Sequence, residues 1–257
     1  DEFPWLAKRC RRITSRKRRR KQNLYGRDFR CDSHSHASVP RGCRGHAFVH
    51  GRYLGDIVQR NGISQPKLLQ LLVKKMAEGV MQPVSYTRLS KILSSVAGRI
   101  SVPTVSNYIG FSEDAWLLLR LRNIASAFVE KESVCKYYFI DNGLLSLQLL
   151  NADTILLENM VALTLFRKYG HDLDNEHVYF YNANVEVDFY IPEEEWAIQV
   201  SYSIADEQTK MREVGALTKL PNVHPCQRRV IVTYDEEDTI TDKYGNIEII
   251  PCWKWML

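Results

Sequence analysis

Two neighbouring segments that alternate between apolar and polar residues constrain the fold of this chain more than any other feature. Residues 185–191 read VEVDFYI and residues 196–204 read WAIQVSYSI, with the turn PEEE between them. This alternation has the period of half-buried strands, so each strand has one apolar and one polar face. The polar faces lie on the same side of the hairpin, and we therefore expect Asp188 to lie near Gln199 or Ser201.

A carboxylate in the preceding helix belongs to the same region. Residues 155–170 read ILLENMVALTLFRKYG, a helical pattern that Gly170 ends. Glu158 lies on the apolar stripe of that helix, where a carboxylate is costly unless it is hydrogen-bonded, ion-paired or bound to a metal. The alternative is a carboxylate at the rim of a helix start, favoured by the helix dipole. The spacing leaves both interpretations open.

The segment before this region predicts a winged helix-turn-helix over residues 49–140. Three helical patterns are present. The first occupies residues 66–79, the second begins at Ser85, and the third begins after Ser101, which can cap it. Strands over residues 116–122 and 136–141 follow, with a polar loop between them. Three helices and a hairpin are the order of a winged helix-turn-helix.

The third of these helices is the candidate for reading nucleic acid. We expect its exposed polar side chains to face bases and nearby cations to bind phosphates. The candidates for bases are Thr104, Ser106 and Asn107, and those for phosphates are Arg88, Lys91 and Arg99. The alternative is a small helical module that binds protein or only packs.

The first 48 residues form a basic leader of a different composition. Residues 1–60 hold 16 Lys and Arg against 5 Asp and Glu, so the chain's net charge of +5 combines +11 there with −6 in the remainder. The leader is interpreted as an arm that neutralises phosphates, as a solvated disordered segment, or as non-native coding sequence from a frame error. Zinc is a further alternative, although the spacing fits no common finger. Its ligands would be Cys31, His34, His36, Cys43, His46 and His50.

Location and redox state follow from what the sequence contains. No apolar run approaches a membrane span, and the N-terminus lacks the apolar core of a signal peptide. The six cysteines are widely spaced and form no CxxC pair. We expect a cytoplasmic protein with reduced thiols and no membrane partner.

The segment from Glu158 to Asp235 resembles the PD-(D/E)xK nuclease fold. The resemblance implies that Asp188 binds Mg or Mn if the site is active. Gln199 stands where that fold has a glutamate, and Ser201 stands where it has a lysine that activates water. Lys210 and Arg212, on the following helix, are candidates to supply the missing cation. The two departures favour a degenerate core that does not cleave over an active nuclease.

A narrower resemblance covers most of the chain, from about Tyr53 to the C-terminus. In this order, KYYFIDNGLL, LLENMVALTLFRK, NVEVDFYI, AIQVSYSI and TKMREVGAL are similar to the uncharacterised C-terminal domain of bacterial and archaeal AAA-type ATPases. The resemblance implies an α+β or α/β chain, with a winged helix over residues 49–140 and a nuclease-like mixed sheet flanked by helices over residues 141–257. It also implies that a glutamine at the position of Gln199, in the third strand, is usual in that domain.

Three functions follow as alternatives. The first is a non-catalytic module that binds DNA or RNA, or regulates, within an ATPase-family protein. The second is an active metal-dependent nuclease that uses Asp188 and Glu158. The third is a protein-interaction module that serves an ATPase domain or another protein. No GxxxxGK[ST] motif is present, so we expect ATP to bind only in the full-length family and no cofactor in this chain.

Overall fold

A computed structural model describes residues 54–150, 152–170 and 177–257, which all belong to one compact unit, Pro40–Leu257. The basic leader and its zinc-ligand candidates lie outside the described residues. So do the cysteines at positions 10, 31 and 43. Within the described residues, Cys135, Cys226 and Cys252 are free thiols.

The described residues form a group of helices before the main sheet, two longer helices that flank the sheet, and several short helices in the connections. They are α1 (Leu54–Arg60), α2 (Pro66–Glu78), α3 (Tyr86–Ala97), α4 (Val102–Asp114), α5 (Phe128–Ser133), α6 (Asn142–Ser146), α7 (Asp153–Tyr169), α8 (Glu207–Lys219) and α9 (Cys252–Trp255). The long ones follow the apolar periodicity of the sequence. Ser85 and Ser101 cap α3 and α4 by accepting hydrogen bonds from backbone N–H groups three residues on.

The strands of the described residues form one mixed sheet. They are β1 (Val84–Ser85), β2 (Leu118–Asn123), β3 (Val134–Phe139), β4 (Tyr179–Asn182), β5 (Glu186–Ile191), β6 (Trp196–Val200), β7 (Arg228–Thr233), β8 (Asp238–Asp242) and β9 (Gly245–Pro251). Their order across the sheet is β1-β3-β2-β4-β5-β6-β7-β9-β8. The expected α+β class with a mixed sheet flanked by helices is confirmed.

The sheet is continuous across residue 140, where sequence patterns place a domain boundary. Strand β2 pairs parallel with β4 through Arg122–Tyr179 and Asn123–Phe180. The Asn123 amide strengthens this junction, because its Nδ2 donates to the Asn182 backbone oxygen at 2.8 Å. Strands β2 and β4, on the two sides of that boundary, are therefore joined by backbone and side-chain hydrogen bonds.

Two hydrophobic clusters lie on opposite faces of the sheet. Ile198 belongs to a cluster that continues through α2, α3, α4 and α7, whereas its neighbour Ala197 belongs to a cluster that contains Leu217 of α8. Adjacent residues of a strand point to opposite faces, so α7 and α8 cover different sides of β6. Every buried polar group between these layers must find a partner.

Several elements differ from the sequence-based expectation. The polar loop between β2 and β3 contains the short helix α5. At the C-terminal end, strand β9 ends at Pro251 and α9 begins at the next residue. Pro251 occupies the final strand position and the N-cap of α9, because it cannot donate a ladder hydrogen bond. Strand β8 was not expected, because the sequence DTITD carries two charges. The structure places it at the edge of the sheet, where charged residues are tolerated.

Within the described residues, no helix is both long enough and apolar enough to cross a membrane.

Candidate functional site

A fully buried lysine lies at the centre of the candidate site. Lys136 projects from β3, and its Nζ lies 3.0 Å from Asp188 Oδ1, 3.1 Å from Glu186 Oε1 and 3.9 Å from Glu158 Oε1. Its side chain is 0% exposed. Burial by itself lowers the pKa of this ammonium, but the three carboxylates outweigh burial and raise its pKa above the usual value. Lys136 therefore carries its positive charge inside the fold.

Glu158 of α7 is the second buried member. Tyr138 lies two residues after Lys136 on β3, and its hydroxyl donates a 2.7 Å hydrogen bond to Glu158 Oε1. Burial, followed by the charge of Asp188, raises the pKa of Glu158 to about 8. Its second oxygen, Oε2, is buried and has no hydrogen-bond partner among the described residues.

Asp188 and Gln199 face each other across β5 and β6, as the shared polar face predicts. The Asp188 backbone N–H donates to Gln199 Oε1 at 2.7 Å, and Asp188 Oδ2 accepts from the Val200 N–H at 3.0 Å. Gln199 Nε2 donates to Glu213 Oε2 at 2.6 Å and to the Glu186 backbone oxygen at 3.3 Å. The carbonyl oxygen that Gln199 would offer to a cation is thus already in use.

The two candidate cations on α8 lie in different places. Arg212 reaches the rim of the site, where its Nε donates to Glu213 Oε1 at 3.0 Å. Burial raises the pKa of Glu213, while Arg212 opposes that shift. Lys210 lies 3.6 Å from Asp238 of β8 and does not line the site. Ser201, at the position of the missing lysine, donates to the Ser203 backbone oxygen.

A cavity of about 380 Å³ opens beside the cluster. It brings together Glu158, Asp188 and Gln199 from three separate elements, with Arg212 and Glu213 from α8. Two residues from the turn after α2, Met81 and Gln82, close it on the helical side. Lys136 does not line this cavity, because its Nζ is enclosed by its carboxylate partners.

The cluster does not fit a bound divalent metal. Among residues 54–150, 152–170 and 177–257, no group of three or more His, Cys, Asp or Glu side chains is arranged to hold one. Hard cations bind several oxygens with free lone pairs. Here Asp188 Oδ1 accepts from Lys136, Asp188 Oδ2 accepts from Val200, and Gln199 Oε1 accepts from Asp188. The ammonium of Lys136 stands among the carboxylates that such an ion would use.

Lys136 is the site residue that the sequence-based reasoning missed. KYYFID was assigned to a strand, and residues 136 and 138 share one face of it. A lysine among aromatic residues in a buried strand is rare unless it is paired. This lysine, taken together with the carboxylate that Glu158 places on the apolar stripe of the next long helix, could have predicted that the two side chains pair.

The nucleic-acid candidates lie on α3, on α4 and in the loop between them. Arg88, Lys91, Arg99 and Asn107 are exposed, whereas Thr104 and Ser106 are half-buried. The Thr104 hydroxyl shares a 2.8 Å hydrogen bond with the Ser101 hydroxyl, so it belongs to the cap of α4. Residues 79–112 contain no Asp or Glu. The three cations therefore have no carboxylate neighbour within their own segment.

The comparisons with known proteins cover most of the chain. Residues 40–155 match a family described as Domain of unknown function (DUF8612). The chain is 32% identical over 223 residues to an uncharacterized protein of Methanocaldococcus jannaschii, covering 82% of this chain and 49% of that protein. It is 26% identical over 216 residues to an uncharacterized protein of Haemophilus influenzae, covering 79% and 49%. The chain thus spans about half the length of these curated relatives. No solved structure matches it.

Proposed function

We propose that this chain is a non-catalytic nucleic-acid-binding module of an AAA-type ATPase-family protein, with a winged helix and a degenerate nuclease-like core. The order α2, α3, α4 and the antiparallel β2–β3 pair support the winged helix. The convergence of Glu158, Asp188 and Gln199 on one cavity supports the nuclease-like core.

The observation that carries nucleic-acid binding is the cation face of α3 and the loop that follows it. We define it as Arg88, Lys91 and Arg99, all exposed, within a segment of 34 residues, 79–112, that has no carboxylate. Each phosphate contact releases counterions and strengthens binding in low salt. The recognisable body of the chain has a net negative charge, so a local face of this kind is what binding requires.

The state of Lys136 supports a core that does not cleave. A catalytic lysine must reach the water or phosphate on which it acts. Lys136 is fully buried, is held by Asp188 at 3.0 Å, and does not line the cavity. Gln199 supplies no charge, and its carbonyl oxygen is bonded to the Asp188 N–H. Asp188 and Gln199, two of the residues that the resemblance places in the nuclease site, are thus engaged with Lys136 and with each other.

A fluorescence anisotropy titration with labelled DNA and RNA, carried out in EDTA, tests the binding proposal. We expect the affinity to fall steeply with salt, and the double variant Arg88→Ala/Lys91→Ala to lower the salt slope by about 2, or roughly 1 per cation. The matched control is Lys243→Ala/Lys254→Ala, which removes the same charge near β8 and β9. Equal affinity in the two double variants, or no binding in low salt, refutes the proposal.

An active nuclease is the second candidate, and one observation favours it. Glu158 lines the cavity, and its Oε2 has no hydrogen-bond partner within the part of the chain that the structure describes. Incubation of plasmid DNA with Mg²⁺ or Mn²⁺, beside an Asp188→Ala control, decides between the candidates. Cleavage by the wild type that the control lacks would establish the nuclease.

The relation to ATPases rests on the sequence resemblance and on length. The chain spans about half of each curated relative, which leaves room for another domain in those proteins. A protein-interaction role within such a protein is the remaining alternative. Size-exclusion chromatography and co-purification with the other half of the Methanocaldococcus jannaschii relative would test it.

A further inference from the structure

A second cavity, of about 660 Å³, lies between α2 and the connection that joins α6 to α7. Lys67, Gln70, Leu71 and Lys74 of α2 line one wall, and residues 147–150 of the connection line the other. We call this cavity the α2 groove. None of its residues lines the cavity of the candidate site or belongs to the cation face, so the α2 groove is a separate feature of the surface.

The α2 groove offers apolar side chains and one amide. Leu71 and Leu149 are half-buried and pack against the larger hydrophobic cluster, whereas Leu150 is 95% exposed. The Nε2 atom of Gln148 is buried and has no hydrogen-bond partner among the described residues. Contiguous exposed apolar side chains with polar groups around them mark a site of interaction with another molecule. The α2 groove therefore has the composition of a docking site.

The charges beside the apolar side chains are positive. Lys67 and Lys74 are exposed and seven residues apart, so they lie on the same face of α2, about 10 Å apart along its axis. Within the part of the chain that the structure describes, neither lysine forms an ion pair. The segments that form the two walls, residues 57–77 and 142–152, contain no Asp or Glu, although the residues after position 60 carry a net charge of −6. The charge of the α2 groove is thus opposite to that of the body around it.

We propose that the α2 groove docks an acidic amphipathic helix of a partner protein. The walls are a helix and a connecting segment, so they offer no strand edge to which an extended peptide would add. A helix that lays leucine-like side chains against Leu71 and Leu150 brings carboxylates about two turns apart to Lys67 and Lys74. Nucleic acid fits less well, because phosphate binding needs several cations and makes no use of leucines. The inference goes beyond nucleic-acid binding and does not rest on it.

Fluorescence anisotropy with a labelled synthetic peptide tests this inference. The peptide is an amphipathic helix with leucines on one face and glutamates beside them, and we expect saturable binding to the full chain. Leu150→Ser should weaken binding about tenfold through lost apolar contact. Lys67→Glu/Lys74→Glu should also weaken it about tenfold or more, because each exposed ion pair becomes a repulsion. The matched control Lys243→Glu/Lys254→Glu changes the net charge equally and should keep the wild-type affinity.

A second peptide, in which lysines replace the glutamates, gives the reciprocal result. Lys67→Glu/Lys74→Glu should bind the lysine peptide more tightly than the wild type does. If that variant does not fold, Lys67→Ala/Lys74→Ala introduces no new charge and should weaken binding of the glutamate peptide about fivefold. No saturable binding of the glutamate peptide, or equal affinity of the substituted and control proteins, overturns the proposal.

Labelled DNA in the same assay separates docking of a protein helix from binding of nucleic acid. Lys67→Glu/Lys74→Glu should lower the affinity for DNA far less than Arg88→Ala/Lys91→Ala does. An equal loss would assign the two α2 lysines to the nucleic-acid interface and would overturn the proposal. The peptide titrations contain no nucleic acid, so their failure leaves the proposed function standing, and failure of DNA binding leaves helix docking standing.

Discussion

Replacement of Lys136 by methionine tests the stability that the buried cluster provides. Methionine keeps much of the length of the side chain but removes the charge and all three N–H donors. At 3.0 Å, the attraction between Lys136 Nζ and Asp188 Oδ1 is about 5.5 kcal/mol at an effective dielectric constant of 20. Since the variant leaves Asp188 buried without its partner, we expect unfolding to become easier by about 3–5 kcal/mol.

Urea unfolding, followed by circular dichroism, measures this loss. The slope of the unfolding free energy against urea should stay constant, so that the shift in midpoint reports stability alone. Lys210→Met is the matched control, because Lys210 forms a partly exposed ion pair at 3.6 Å with Asp238. The control should cost about 0–1 kcal/mol.

A double variant separates the ion pair from general packing. Asp188→Asn removes the matching negative charge and keeps an oxygen for the Val200 N–H. Lys136→Met/Asp188→Asn should cost less than the sum of the single variants, with a coupling of about 1–3 kcal/mol. If Lys136→Met costs no more than Lys210→Met, or if the two losses simply add, the argument for the cluster is refuted.

Three further predictions concern other groups. The pKa of Glu158 is about 8, above its unfolded value, so the stability that this carboxyl contributes is present at low pH and is lost as pH rises through 8. Glu158→Gln should therefore gain stability relative to the wild type between pH 5 and 9 in thermal melts, by at most about 1.4 kcal/mol per pH unit. A stability difference between the two proteins that stays constant over this range contradicts the prediction. Hydrogen bonds from Arg229 lower the pKa of Asp242 to about 2, so the stability that Asp242 contributes disappears as pH falls below about 4. The difference in unfolding free energy between the wild type and Asp242→Asn should therefore close between pH 4 and 2 in urea titrations. A difference that persists at pH 2 refutes the pairing. Ser101→Ala should cost about 1 kcal/mol of unfolding free energy through lost capping of α4, and no change in the urea midpoint would contradict it.

Local patterns in the sequence predict much of the fold because they determine local structure. The apolar spacing of α2 and α7 and the capping Ser85 and Ser101 are readable from a few residues each. The polar face shared by β5 and β6 likewise predicts that Asp188 lies near Gln199, and a 2.7 Å hydrogen bond joins them. In each case, the information lies within one element or one hairpin.

The centre of the site depends on contacts that sequence spacing does not encode. Lys136 and Asp188 are 52 residues apart, and they meet because β2 pairs with β4 and carries β3 beside the main sheet. No local period determines which strand will extend a sheet across a domain boundary. Lys210 and Arg212 are closer to Asp188 along the chain, but Lys210 pairs with Asp238 and Arg212 pairs with Glu213.

A gel assay of supercoiled plasmid tests the central claim, which is that the chain binds nucleic acid and does not cut it. The plasmid is incubated with increasing protein in Mg²⁺ and in EDTA, and one half of each sample is stripped of protein before electrophoresis. The account predicts retarded plasmid in the untreated half and fully supercoiled plasmid in the stripped half under both conditions. Nicked or linear plasmid that requires Mg²⁺ and is absent with Asp188→Asn, or plasmid that is never retarded, would contradict it.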